Sequence, residues 1–117
     1  MNYNDSKIEY VVMDPSQNIT ILVTSDVPKS DYKFVAKKLL ELELTAEQVG
    51  FLKYDNENDI ILNMAGNEFC GNATMSAAVY FGIEKKLDDA NVVVKPSGED
   101  EPINVYIKNK SKSIIIV

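Results

Sequence analysis

The spacing of apolar and polar residues changes period several times along the chain, and each change marks an element. Residues 7–13 and 19–24 are apolar-rich runs separated by Asp14-Pro15-Ser16-Gln17-Asn18, which predicts two strands joined by a turn as a hairpin. Pro28 with Ser30 or Asp31 then opens an amphipathic helix reaching about Glu43. Its inward side is read as Phe34, Val35, Leu39 and Leu42, with Leu40 at the margin. Lys33, Lys37, Lys38, Glu41 and Glu43 face water as solvated surface and receive no function. Residues 49–54 and 59–63, on either side of Asp55-Asn56-Glu57-Asn58, predict a second hairpin.

The next segment behaves differently. Ala73, Met75, Ala77, Ala78, Val79, Tyr80, Phe81 and Ile83 are apolar on every side of a helical wheel, so a helix from about 72 to 83 should be surrounded by protein, with its N-terminus inside the fold. Strands follow at 92–95 and 103–108, and the apolar run 113–117 reads as another strand. The order of hairpin, helix, hairpin, buried helix and further strands gives an α+β fold, a curved and mostly antiparallel sheet around a buried central helix.

Composition narrows the functional classes more than it names one. The chain has 117 residues, 45% of them hydrophobic and 26% charged, which suits a single domain over 1–117 with its own core. A net charge of −6 argues against nucleic acid or an anionic membrane surface as partner, since both need clustered Lys and Arg. No signal-peptide core and no window near the ~18 apolar residues of a membrane span is present, so the expected location is cytoplasmic. One unpaired Cys agrees with a reducing compartment. Glu99, Asp100 and Glu101 are consecutive rather than alternating as a calcium loop requires, so no metal is expected there. No His is present, which removes a Ser-His-Asp triad.

The candidate chemistry lies at Asn67-Glu68-Phe69-Cys70-Gly71-Asn72-Ala73-Thr74, where the chain's single cysteine precedes the apolar helix. A free cysteine is often only a small buried hydrophobe. Two neighbours favour more: Gly71 removes a side chain where a ligand would approach, and Asn72 is a good helix N-cap. The first N–H groups of a helix lack intrahelical partners, and the dipole adds partial positive charge, so a thiolate and a substrate carboxylate would both be favoured there. A base could thus sit beside an amino-acid α-carbon.

Cys70-Gly71-Asn72, after a Gly-polar-Glu segment, resembles the N-terminal catalytic motif of the diaminopimelate epimerase family. The longer run Ala65-Gly66-Asn67-Glu68-Phe69-Cys70-Gly71-Asn72-Ala73-Thr74 is similar to the amino-acid racemases of that superfamily that act in metallophore synthesis, of the histidine racemase type. Asp14-Pro15-Ser16-Gln17-Asn18 resembles the family's early turn ending in a ligand-binding Asn. Ala46-Glu47-Gln48-Val49-Gly50 resembles its Asp-Gln segment, and Asn63 a further substrate-contacting Asn. The resemblance implies a racemase or epimerase without cofactor, in which two cysteines on opposite sides of the α-carbon exchange its proton. It implies Cys70 as one acid–base thiol, the amides of Gly71, Asn72 and Ala73 as carboxylate receivers, and Asn18, Asn63, Gln48 and Glu68 as substrate contacts. Thr74-Met75-Ser76 stands where the epimerases proper carry a second Cys, which argues against diaminopimelate as substrate.

The family uses two similar lobes, one cysteine from each, whereas this chain has the length of one lobe and one Cys. It therefore reads as an N-terminal half whose partners are a small amino acid and a second lobe or partner subunit, with a homodimer as a further form, and which by itself would be inactive. Two other readings remain at this stage: a noncatalytic half-protein that binds a small carboxylate, and a phenazine-biosynthesis-like isomerase.

Overall fold

In a computed structural model, the structure describes residues 2–3, 6–14, 18–56, 59–108 and 113–116. β1 (Asn2–Tyr3) and β2 (Ser6–Lys7) form a small antiparallel pair of their own. The other strands are β3 (Tyr10–Met13), β4 (Thr20–Val23), β5 (Gln48–Asn56), β6 (Asp59–Met64), β7 (Ala90–Pro96), β8 (Ile103–Lys108) and β9 (Ser113–Ile116). They build a seven-stranded sheet in which every strand lies beside its neighbours in sequence. Pairings β3–β4, β5–β6, β7–β8 and β8–β9 are antiparallel, while β4–β5 and β6–β7 are parallel. A parallel neighbour needs a long crossover, and the two helices supply it: α1 (Tyr32–Leu42), preceded by a 3-10 turn at Lys29–Asp31, links β4 to β5, and α2 (Gly71–Glu84) links β6 to β7.

The helices cover opposite faces of the sheet, so the core has two sides. Tyr32, Val35, Ala36 and Leu39 of α1 pack with Ile21 and Val23 of β4 and Val49 and Phe51 of β5, and the Tyr32 ring stacks on Phe51 with centroids 3.9 Å apart. Ala73, Ala77, Ala78 and Phe81 of α2 pack with Leu22, Leu52, Ile60, Leu62, Met64, Val92, Val94, Val105 and Ile107. Strand alternation produces this division, since successive side chains point to opposite faces. β4 explains its own sequence: Thr20, Ile21, Leu22 and Val23 are all buried because both faces are covered. Small residues on α2 let the sheet approach and curl around it, and at Gly82 a Cβ would stand 2.5 Å from Ile107 Cδ1.

The elements follow the expected order, with differences in detail. The first predicted strand is interrupted, since Ile8 and Glu9 lie between β2 and β3. Residues 15–17 of the first turn and 57–58 of the second lie outside the described residues, as does Val117. Phe34 and Leu42 do not face inward, being 49% and 59% exposed. The buried stripe is 32, 35, 36 and 39, and Phe34 falls off it, with the Lys38 ammonium 5.7 Å from its ring centroid. Glu43 is not simply solvated, because its carboxylate accepts a 2.9 Å hydrogen bond from the Tyr10 hydroxyl. That bond, with burial, holds the Tyr10 phenol above its ordinary range. Nor is α2 enclosed on all sides: Met75 and Val79 are half-buried and Ile83 is exposed, a stripe at i, i+4 and i+8 that is covered only in part.

Candidate active site

The loop from β6 to α2 delivers Cys70 to the helix start, and it is braced from behind. Asn67 takes φ +63°, a left-handed conformation that a short amide side chain tolerates, and its N–H bonds to the Met64 carbonyl at 2.9 Å. Buried Ser97, just past β7, accepts from the Met64 N–H at 2.9 Å and donates to the Glu68 carbonyl at 2.6 Å. Its own N–H reaches the Leu62 carbonyl at 2.8 Å. At Gly98, with φ +75°, a Cβ would lie 2.3 Å from the backbone N of Phe69. The 96–102 connection, legible in sequence only as an acidic loop, thus packs backbone against backbone on the segment that carries the thiol.

Cys70 is itself the N-cap of α2, in extended backbone. Its carbonyl accepts from the Thr74 N–H at 3.0 Å and the Thr74 hydroxyl at 2.8 Å, which fixes the residue at the helix mouth. The sulfur accepts from the Ala73 N–H at 3.5 Å, and the thiol donates to Gln48 Oε1 at 3.1 Å. Gln48 Nε2 in turn donates to Thr20 Oγ1 at 2.7 Å, and the Thr20 hydroxyl donates to the Asn18 carbonyl at 3.3 Å. Expected as the cap, Asn72 instead occupies the second helical position, because the sulfur takes the capping role. The helix mouth is also not interior: Gly71 is exposed, and Cys70 and Asn72 are half-buried, so a small molecule has access. The N–H groups of Gly71 and Asn72, at the first two helical positions, have no intrahelical acceptor.

The expected site residues divide into groups. Cys70, Gln48, Gly71, Asn72 and Ala73 come together, with the backbone of Asn18 at the far end of the same chain of hydrogen bonds. Glu68 is exposed, and its carboxylate folds over Gly66, where a Cβ would stand 2.9 Å from Oε1. Asn63 is on the α1 side of the sheet: its neighbours Leu62 and Met64 point into the α2 core, and it is paired in register with Phe51 of the other core. A cavity of about 330 Å³ borders the helix mouth along Phe69, Gly71, Asn72, Met75 and Ile103. A groove of about 590 Å³ along the outer side of α1 is lined by none of the thiol's contacts. Among the described residues, no three metal-capable side chains cluster, and no helix is long and apolar enough to cross a membrane. Thr20, Ser97 and Gly98 are the residues the sequence did not single out.

These features define an α+β lobe that holds one accessible, helix-capping thiol beside open backbone donors. The family of the histidine racemase CntK N-terminal domain matches residues 7–116. A histidine racemase of Staphylococcus aureus is 42% identical over 99 residues, covering 81% of this chain and 36% of that protein. One from Fusobacterium nucleatum is 32% identical over 105 residues, covering 86% and 38%. The chain belongs to the histidine racemase N-terminal domain family, and it spans little more than a third of the length of the curated relatives it matches.

Proposed function

We propose that this chain is the N-terminal half of a cofactor-independent amino-acid racemase acting on histidine, with Cys70 as one of two acid–base groups. The choice of histidine is supported by the relatives' names. The observation that carries the mechanism is the sulfur of Cys70, held between the Gln48 carbonyl and the Ala73 N–H at the mouth of α2. The α-carboxylate docks on the N–H groups of Gly71 and Asn72, where the helix dipole favours the charge that spreads onto it as the α-carbon loses its proton. Glu68 and Asn18 approach the remainder of the substrate from the loop and the start of β4, while Asn63, on the α1 side of the sheet, is left out of this arrangement. The Cys70 thiolate takes the α-proton from one face, and a second acid returns a proton to the opposite face, so the carbon inverts and the proton count balances. With one Cys in the chain, that second group comes from a further lobe, and residues 1–117 form one lobe of the pair. A free catalytic thiol suits the reducing cytoplasm.

The test is α-proton exchange of L- and D-histidine in heavy water, with and without the remaining residues that the relatives carry. Deuterium incorporation should be detected for at least one enantiomer and fall by about 10²-fold or more in Cys70→Ser, the scale of losing an acid–base group. Histidine binding with no exchange in either form would sink the racemase reading and leave a carboxylate binder.

A further inference from the structure

We infer that Thr20 is a positioning residue for the Cys70 proton, acting through Gln48; this rests on the reading of Cys70 as an acid–base group. Three facts carry it. Thr20 and Gln48 are directly paired in the parallel β4–β5 register, so the backbone itself sets their side chains together. Thr20 is fully buried, and its hydroxyl lies 3.3 Å from the Asn18 carbonyl and 2.7 Å from the Gln48 amide. The Gln48 amide has its other end 3.1 Å from the sulfur.

The bonds run in one direction from the Asn18 carbonyl, which can only accept. While its single hydroxyl proton goes to that carbonyl, the Thr20 oxygen accepts from Gln48. With that proton on Asn18, the NH₂ of Gln48 faces Thr20 and its carbonyl oxygen faces Cys70. Were the amide rotated by half a turn, the Thr20 hydroxyl would have to turn its proton from the Asn18 carbonyl to the Gln48 oxygen, leaving that carbonyl without this donor. Cys70 accordingly meets an acceptor, and its thiol donates. Thr20, which touches neither the sulfur nor the helix mouth in any of these bonds, thus favours the amide orientation in which the thiol sees the Gln48 oxygen, because only that one keeps the Asn18 carbonyl paired. Without the hydroxyl, Gln48 is free to turn its NH₂ to the sulfur and favour the thiolate.

Alkylation reads this directly, because iodoacetamide reacts with the thiolate and the 117-residue chain has one cysteine. At fixed neutral pH, Thr20→Val should raise the alkylation rate about five-fold, the scale of one ordinary hydrogen bond. Thr20→Ser, which keeps the hydroxyl, should restore the original rate. Gln48→Met, which removes the acceptor, should accelerate alkylation similarly, and in that background Thr20→Val should add nothing. An unchanged rate in Thr20→Val, no rescue by Ser, or a Thr20 effect that persists beside Gln48→Met would overturn the inference. If Thr20→Val does not fold, an unchanged rate in Gln48→Met alone overturns it. Histidine exchange is measured separately: alkylation shifts without exchange leave the positioning role and remove the racemase, and exchange without alkylation shifts does the reverse.

Discussion

The Cys70 sulfur has contacts with opposite preferences: the Gln48 carbonyl suits a protonated thiol, and the Ala73 N–H suits a thiolate. Under the proposed acid–base role, a group that takes and gives a proton benefits from having one partner for each state. Its placement depends on Gly98, where two requirements coincide. The φ of +75° strains any L side chain, and the space for a Cβ is filled by the backbone of Glu68 and Phe69, which cannot rotate away as a side chain could. Gly98→Ala should therefore cost about 2–4 kcal/mol, seen as a lowered urea midpoint. Tyr80 makes a different demand. Burial, with lesser contributions from Tyr54 and Glu84, pushes its phenol up to about 12. Because the folded value lies above the unfolded value of about 10, the folded state keeps its proton longer, and the associated stability is whole below about pH 10 and is lost as pH rises toward 12. In Tyr80→Phe, urea midpoints should fall less steeply across that window than in the parent chain.

Among elements, the connection from β7 to β8 does the least expected task. Ser97 links the end of β6, through the Met64 N–H, to the loop before α2, through the Glu68 carbonyl. Ser97→Ala leaves both without that partner and should cost about 1–3 kcal/mol. Amide exchange should separate this local effect from general loosening, with the Met64 amide exchanging faster and the α1 amides unchanged. None of this was legible in the sequence, because Ser97 and Glu68 are 29 residues apart and a Pro-Ser-Gly turn has the same composition whether or not something rests on it. Thr20 was hidden for a related reason: its contact with Gln48, 28 residues on, exists only once α1 has set β4 and β5 parallel and in register. Local patterns were readable. The strand at β4, the largely buried helix α2 and the helix start at Cys-Gly-Asn could each be placed from a few adjacent residues. The misplacement of Phe34 and Leu42 has the opposite cause: large apolar side chains suggested an inner face that Tyr32 and Ala36 in fact occupy with Val35 and Leu39.

On the scale of the whole molecule, one sheet serves two cores, and the question is whether they are one cooperative unit. β4 contributes Ile21 and Val23 to the α1 side and Leu22 to the α2 side, and β5 divides Val49 and Phe51 from Leu52 in the same way. Neither side can lose its packing without loosening strands that the other needs, so unfolding should be a single transition in urea by every probe. Single substitutions should nonetheless act separately when they sit on different sides. Ile21 and Ile60 are both fully buried, lie in opposite cores and are carried by strands with β5 between them, about 10 Å apart by strand spacing alone. Ile21→Val and Ile60→Val should each cost about 0.5–1.5 kcal/mol, and the double variant should match their sum to within about 0.5 kcal/mol. Leu22 and Leu62 give the contrast. Both close over Gly50, where a Cβ would stand 3.5 Å and 2.7 Å from their methyl carbons, so truncating both to Ala merges two cavities and should depart from additivity. Two separate transitions in urea, or coupling between Ile21 and Ile60 as strong as that between Leu22 and Leu62, would show that the sheet does not partition the core in this way.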